Sequence, residues 1–313
     1  MSVRKMIIDT DCGSDDAVAI AMAVKESAVE VLMISTVVGN TSMSQGTINT
    51  LTTLGYANSY HPPVYKGCKR PLMQKPFYAY ETHGDDGMGD IGLMPPRGAT
   101  AADGHGVIKM LEILMAHEPN TIEIVCLGPL TNIAVAISLS LEVVHRAKSI
   151  TIMGSAGFGI GNVSPVAEFN IRHDAEAAKI VLDSGLPVTF VGWDACLGDA
   201  IFDEDDIQRL RAIKPLGEFM IDCNKSLIEF NEDRFDRSIL DFADPVAMAV
   251  ALWPEVVTQC DKYPCEVDVS NGPGYGALVI DRNNEFGGEP NAYICTQVDA
   301  KLYKEKLFHV ASL

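Results

Sequence analysis

Lys5-Met6-Ile7-Ile8-Asp9-Thr10-Asp11-Cys12-Gly13-Ser14-Asp15-Asp16-Ala17 begins as an apolar run and ends as a helix start. Lys5–Ile8 reads as a buried strand, and a helix is predicted from about Asp15 to Lys25. Asp9 and Asp11 lie two apart, so on an extended chain they point the same way. Asp15 and Asp16 fall in the first helical turn, where the dipole favours negative charge. Gly13 reads as the residue that permits the sharp strand-to-helix turn. Four carboxylates in eight residues at a strand end repel one another and raise each other's pKa. A bound cation removes that conflict, and carboxylate oxygens select a hard ion such as Ca²⁺ or Mg²⁺. A helix cap needs one Asp or Ser, not four acids.

Working outward, Val29–Val38 is nearly continuously apolar and suits a strand covered on both faces. Helices are predicted over Ser44–Tyr56, Val107–His117, Thr131–Ser140, Asp174–Ser184 and Val246–Leu252, and strands over Ile122–Leu127, Ser149–Met153 and Val188–Val191. The alternation predicts an α/β fold: a Rossmann-like open, mostly parallel sheet flanked by helices. With no low-complexity linker and no fixed-period repeat, residues 1–313 are expected to form a single domain. Residues 66–104 and 154–171 read as long irregular loops beyond the carboxyl ends of strands, where open sheets bind ligands. Ile201–Asp244 reads as polar and helical, with most of its acids, Asp241 among them, taken as solvated surface charges.

Composition narrows the function. The 313 residues carry 24 Lys and Arg against 42 Asp and Glu, a net charge of −18, which argues against nucleic-acid partners and anionic membrane surfaces. No apolar run reaches the roughly 18–20 residues of a membrane span. The first apolar stretch is too short for a signal-peptide core, so a cytoplasmic location is expected. None of the eight cysteines forms a CxxC pair, which points to free thiols and away from a zinc ribbon or a disulfide framework. Gly154–Gly161 is glycine-rich without being G-x-G-x-x-G, so a dinucleotide site is not expected. Asp9-Thr10-Asp11 shares its D-x-D with haloacid-dehalogenase-like phosphatases, but Gly13 stands where those have Thr or Val. Arg and Lys are also scarce near the acids, which tells against a phosphate substrate. Asn40, Asn162, Glu168 and Asn170 are of the types that hydrogen-bond sugar hydroxyls, although singly each also reads as a turn residue or cap.

Asp9-Thr10-Asp11-Cys12-Gly13-Ser14-Asp15-Asp16-Ala17 resembles the N-terminal signature of the calcium-dependent nucleoside hydrolases. The resemblance continues through Thr36-Val37-Val38-Gly39-Asn40, His83-Gly84-Asp85-Asp86-Gly87-Met88-Gly89, Leu127-Gly128-Pro129-Leu130-Thr131-Asn132-Ile133-Ala134, Met153-Gly154, Val166-Ala167-Glu168-Phe169-Asn170-Ile171 and Asp244-Pro245. These blocks keep their order and approximate spacing over nearly the whole chain. The resemblance implies hydrolysis of the N-glycosidic bond of ribonucleosides, with Ca²⁺ held by Asp11, Asp16, Asp244 and the Leu127 carbonyl. Asp11 would be the general base. Asn40, Asp15, Asn162, Glu168, Asn170 and Asp244 would hold the ribose, with Met153 packed beneath it. Asp9 would support the metal ligands from behind, and His83 would lie in a mobile loop over the base. It also implies a nucleoside as the small-molecule partner and a homodimer or homotetramer.

Two positions depart from the family pattern. Inosine–uridine-preferring relatives have a His just before the final metal Asp, where this chain has Ala243. Purine-specific relatives use a Trp near the base, and none stands in the segment before Asp244. Within Leu227–Phe235, Glu229, Asn231 and Arg234 are the candidates for activating the base, and Phe230 and Phe235 for stacking on it. Cys12 replaces the more common Pro, as in a subgroup with Cys there, and reads equally as a substrate-contacting or reactive thiol and as a buried turn residue. A second function weighed is a nucleoside- or ribose-binding protein that kept the metal site without efficient catalysis. Ala243 argues for it, and the intact Asp11, Asp16, Asn170 and Asp244 argue against it, since a binder needs no general base.

Overall fold

Along the first strand, Met6 and Ile8 face one hydrophobic core while Ile7 faces the other, as the two-residue period of a strand requires. Both faces of the sheet are therefore covered. The computed structural model describes residues 3–313. Its strands are β1 (Arg4–Thr10), β2 (Val29–Thr36), β3 (Val64–Lys66), β4 (Ile122–Cys126), β5 (Ser149–Met153), β6 (Val188–Val191), β7 (Val257–Tyr263), β8 (Cys265–Val267), β9 (Leu278–Ile280) and β10 (Ala292–Val298). The helices are α1 (Ser14–Lys25), α2 (Met43–Ala57), α3 (Tyr80–His83), α4 (Gly106–Ala116), α5 (Thr131–Val144), α6 (Phe169–His173), α7 (Ala175–Asp183), α8 (Glu204–Arg211), α9 (Leu216–Asp222), α10 (Lys225–Phe235), α11 (Ala243–Leu252) and α12 (Ala300–Ala311).

The main sheet runs β3-β2-β1-β4-β5-β6-β10-β7. All neighbours pair in parallel except β10 with β7, which closes one edge antiparallel. From β1 the chain builds outward to β3, then returns to β4 on the other side and builds outward again. The order thus reverses between β1 and β4, and in open α/β sheets the crevice beyond the strands' carboxyl ends at such a reversal is where ligands bind. Thr10 is level with Thr36 of β2, and Asp9 with Cys126 of β4, so the segments starting at Asp11, Val37 and Leu127 leave the sheet side by side.

Helix α1 is buried from Ser14 to Val24 because it packs on the sheet and against α11 together. Its four alanines, Ala17, Ala19, Ala21 and Ala23, allow that close approach. The turn into α1 differs from the sequence reading. Cys12 holds the left-handed conformation at φ 38, while Gly13 has an ordinary φ of −76. Gly13 is needed for space instead: a Cβ there would lie 2.6 Å from Asn40 Nδ2.

Other boundaries also shift. β2 stops at Thr36, not Val38, because Val37 turns toward the Thr10 carbonyl as the chain leaves the sheet. The 66–104 stretch contains α3, and the 154–171 stretch runs into α6, which Asp174 separates from α7. Strands β3 and β7–β10 and helix α12 were not anticipated; several are three-residue strands held only by pairing with distant partners. Among the described residues no helix is long and apolar enough to cross a membrane.

Candidate active site

Asp9, at the end of β1, is completely buried and points between strands. Its Oδ1 accepts from the Ser35 hydroxyl of β2 and from Asn132 Nδ2 of α5 at 2.7 Å. Burial pushes its carboxyl up to about 7. It thus ties together the segments on both sides of the reversal.

Asp11 follows, also completely buried. Its Oδ2 accepts from the Asn40 amide at 2.6 Å, whereas its Oδ1 is buried with no hydrogen-bond donor. Glycines make room for it: a Cβ on Gly39 would lie 2.0 Å from Oδ2, and one on Gly128 would lie 2.7 Å from Oδ1. Oδ1 therefore faces the Leu127–Gly128 turn that leaves β4. Asp16, in the first turn of α1, accepts from the Thr10 hydroxyl, from the Gly13 amide at 2.8 Å and from Asn40 Nδ2 at 3.2 Å. Asp244 enters from the first turn of α11 and shares a hydrogen bond with Asp16.

Carboxylate oxygens of Asp15, Asp16 and Asp244 lie within 4.8 Å of one another. Burial first, and then the neighbouring carboxylates, raise Asp11 and Asp244 well above the ordinary range and raise Asp16 as well. No Lys or Arg bonds any of these four acids in the described residues. A buried donorless carboxylate oxygen and an all-oxygen acidic nest without cationic partners fit a hard divalent cation. The tight trio contains Asp15 where the sequence reading had Asp11. Asp15 is the most exposed of the four acids and lines the cavity above, while Asp11 and Asp16 sit beneath its floor.

That cavity has a volume of about 700 Å³. It brings together Asp15, Asn40, His83, Leu127, Met153, Asn162, Glu168, Asn170 and Asp244 from separate stretches of the chain. Asn170 Nδ2 donates to the Leu127 carbonyl at 2.7 Å and to the Met153 carbonyl at 3.2 Å, bridging the ends of β4 and β5. Glu168 caps α6, accepting from the amides of Asn170 and Ile171, and also from that of Ser155. Burial pushes its carboxyl up to about 7. Asn162 Oδ1 accepts from the Phe169 amide at 2.9 Å.

Two readings need correction, and the two readings of Cys12 are resolved. His83 is not in a loose loop: it ends α3, is 7% exposed, and its Nδ1 lies 2.8 Å from Ser14 Oγ and 3.9 Å from Asp15 Oδ1. Cys12 is completely buried and does not line the cavity; burial pushes its thiol well up, which leaves the turn role. Asp241, read as a solvated surface acid, lines the cavity. Of the Leu227–Phe235 candidates, Phe230, Asn231, Arg234 and Phe235 line the cavity, and Glu229 instead pairs with Lys225 on α10. Trp193 also lines it, a position that no local motif marked. Phe77, Tyr78 and Tyr80, from the segment entering α3, add further aromatic rings to the wall. A polar floor and an aromatic wall match a ligand with a polyhydroxylated part and a flat, π-rich part.

The family described as inosine-uridine preferring nucleoside hydrolase matches residues 6–305. An inosine-uridine preferring nucleoside hydrolase of Leishmania major is 37% identical over 283 residues, spanning 89% of this chain and 88% of that protein. A pyrimidine-specific ribonucleoside hydrolase, RihB, of Escherichia coli O157:H7 is 34% identical over 301 residues, spanning 96% and 94%. The solved structure of a plant nucleoside hydrolase superposes with a TM-score of 0.92 at 26% identity, covering 99% of each chain. With nearly the whole length matched in both sequence and fold, the chain belongs to the inosine-uridine preferring nucleoside hydrolase family.

Proposed function

We propose that this nucleoside hydrolase cleaves the N-glycosidic bond with Asp11 as general base and with Ca²⁺ held by Asp11, Asp16, Asp244 and the Leu127 carbonyl. The observation that carries the proposal is Asp11 Oδ1, a completely buried carboxylate oxygen with no donor, turned toward the Leu127–Gly128 backbone. The Leu127 carbonyl has two lone pairs, so its bond from Asn170 leaves one free. When bound, the ion offsets the repulsion among the acids and acidifies a water.

The chain's own groups do the rest. Asp15, Asn40, Glu168 and Asn170 hold the ribose hydroxyls at the cavity floor, and Met153 packs beneath the sugar. Holding the sugar there turns the attack of water into a local event. As the bond to the base lengthens, positive charge develops on the sugar, and the surrounding carboxylates and amide oxygens stabilise it. Asp11 takes the proton of the attacking water. A single displacement inverts the anomeric centre, by analogy with glycosidases that leave room for a water.

The test is a panel of ribonucleosides incubated with the protein, with free reducing sugar as the readout and Asp11→Asn as control. Ribose release that vanishes in Asp11→Asn supports the mechanism. Release that persists in the variant removes Asp11 as the base, and binding without release from any nucleoside supports the binding protein instead.

A further inference from the structure

We propose that Asp241 protonates the departing base, an assignment that rests on the hydrolase reading above. The geometry is set by the segment entering α11. Leu240 pairs with Phe202 across an isolated bridge, and Phe242 packs edge-on against the Phe202 ring at 5.3 Å. Both are completely buried. With Leu240 and Phe242 held in the core, Asp241 and Ala243 between and after them are left half-buried, and both line the cavity. Ala243 has no proton to give, which leaves Asp241 as the acid that this segment presents.

Asn231 of α10 aims the carboxyl. Its Nδ2 donates to Asp241 Oδ1 at 2.9 Å and to the Ile239 carbonyl at 3.1 Å, and Asn231 is 1% exposed. One oxygen of Asp241 is therefore fixed on a buried anchor. Burial raises the carboxyl above its ordinary range, opposed by the Asn231 bond. Other groups on the wall are poorer donors. The Tyr78 and Tyr80 phenols stack on each other at 5.1 Å. His83 is held at the floor by Ser14 and Asp15.

The step balances as follows. The bond between C1′ and the base nitrogen breaks and its electron pair goes to the base. The Asp241 proton moves to a ring nitrogen of that base. The water oxygen bonds to C1′ and gives its proton to Asp11. Afterwards Asp241 regains a proton from solvent and Asp11 releases one, so the net reaction is nucleoside plus water to ribose plus base.

The experiment compares inosine with 4-nitrophenyl ribofuranoside, whose leaving group departs as a stable phenolate and needs no acid. In Asp241→Asn, kcat/KM for inosine should fall about 10²–10⁴-fold, the usual worth of a positioned acid, while the nitrophenyl substrate is still cleaved at nearly the native rate. Asp241→Glu, which keeps the carboxyl, should cleave inosine faster than Asp241→Asn does. Equal loss on both substrates, no loss on inosine, or equal loss in the Asn and Glu variants overturns the assignment. Failure of the unaltered enzyme to cleave either substrate would instead sink the hydrolase reading beneath it.

Discussion

The amide of Asn40 donates to Oδ2 of Asp11 at 2.6 Å, so the loop that leaves β2 fixes the carboxylate that leaves β1. The bond is possible because Gly39, next to Asn40, has no side chain where Asp11 Oδ2 sits, 2.0 Å from the position of a Cβ. Gly39→Ala should therefore displace Asp11 while leaving every ligand in the chain. Turnover is expected to fall by about 10²-fold or more, the scale of a misplaced catalytic group. Ribose release compared at matched folded fraction checks it, and near-native turnover would show that Asp11 tolerates displacement.

Calcium should stabilise the fold through the acidic nest. A ligand that binds only the folded state at 100 times its Kd adds about 2.7 kcal/mol. Melting in chelator and then in excess Ca²⁺ should show a rise in Tm, and Asp244→Asn should lose most of that rise. Because burial and the neighbouring Asp15, Asp16 and Asp11 hold the Asp244 carboxyl well above its ordinary range, Asp244→Asn should be no less stable than the native chain in chelator. An equal calcium shift in both proteins would place the ion elsewhere.

Glu168 has a structural duty besides facing the cavity. Its carboxylate satisfies the free amides at the start of α6, and losing such a cap costs about 1 kcal/mol. Glu168→Ala should lower the unfolding free energy read from urea titration by that amount as well as weaken substrate binding. Glu168→Gln keeps one accepting oxygen and should recover most of the stability. If both variants melt like the native protein, the cap contributes nothing.

His173 should make stability depend on pH. Its Nε2 bonds the Phe77 carbonyl at 3.1 Å, its Nδ1 has no partner, and burial lowers its pKa from 6.5 to about 4. It is thus neutral in the folded chain where the unfolded chain already binds a proton. The stability from neutral burial is complete above pH 6.5 and is lost as pH falls toward 4, on the order of 3 kcal/mol in all. Buried acids with raised pKa, such as Asp9 at about 7, move stability in the opposite direction, so the informative quantity is the difference from His173→Gln. That difference should shrink from pH 7 to pH 4 as the native chain loses more; a constant difference would mean that His173 is protonated in the fold.

Local sequence carried much of this. The apolar run before Asp9 and the acids after it identify a strand running into a helix, because strand burial and dipole preference act within a few residues. The β-α alternation likewise implies a parallel sheet, since parallel neighbours need a crossover. Tertiary structure decided the rest. That the segments starting at Asp11 and Leu127 leave the sheet side by side follows from the strand order, which no local pattern encodes. β3, β8 and β9 exist through pairing with remote partners, a context stronger than their own propensity. The acids of 201–244 look alike as composition, yet Asp241 lines the cavity while its neighbours Leu240 and Phe242 are buried on Phe202. Composition determined that this segment is acidic; the packing of its apolar neighbours decided that Asp241 is left at the cavity wall.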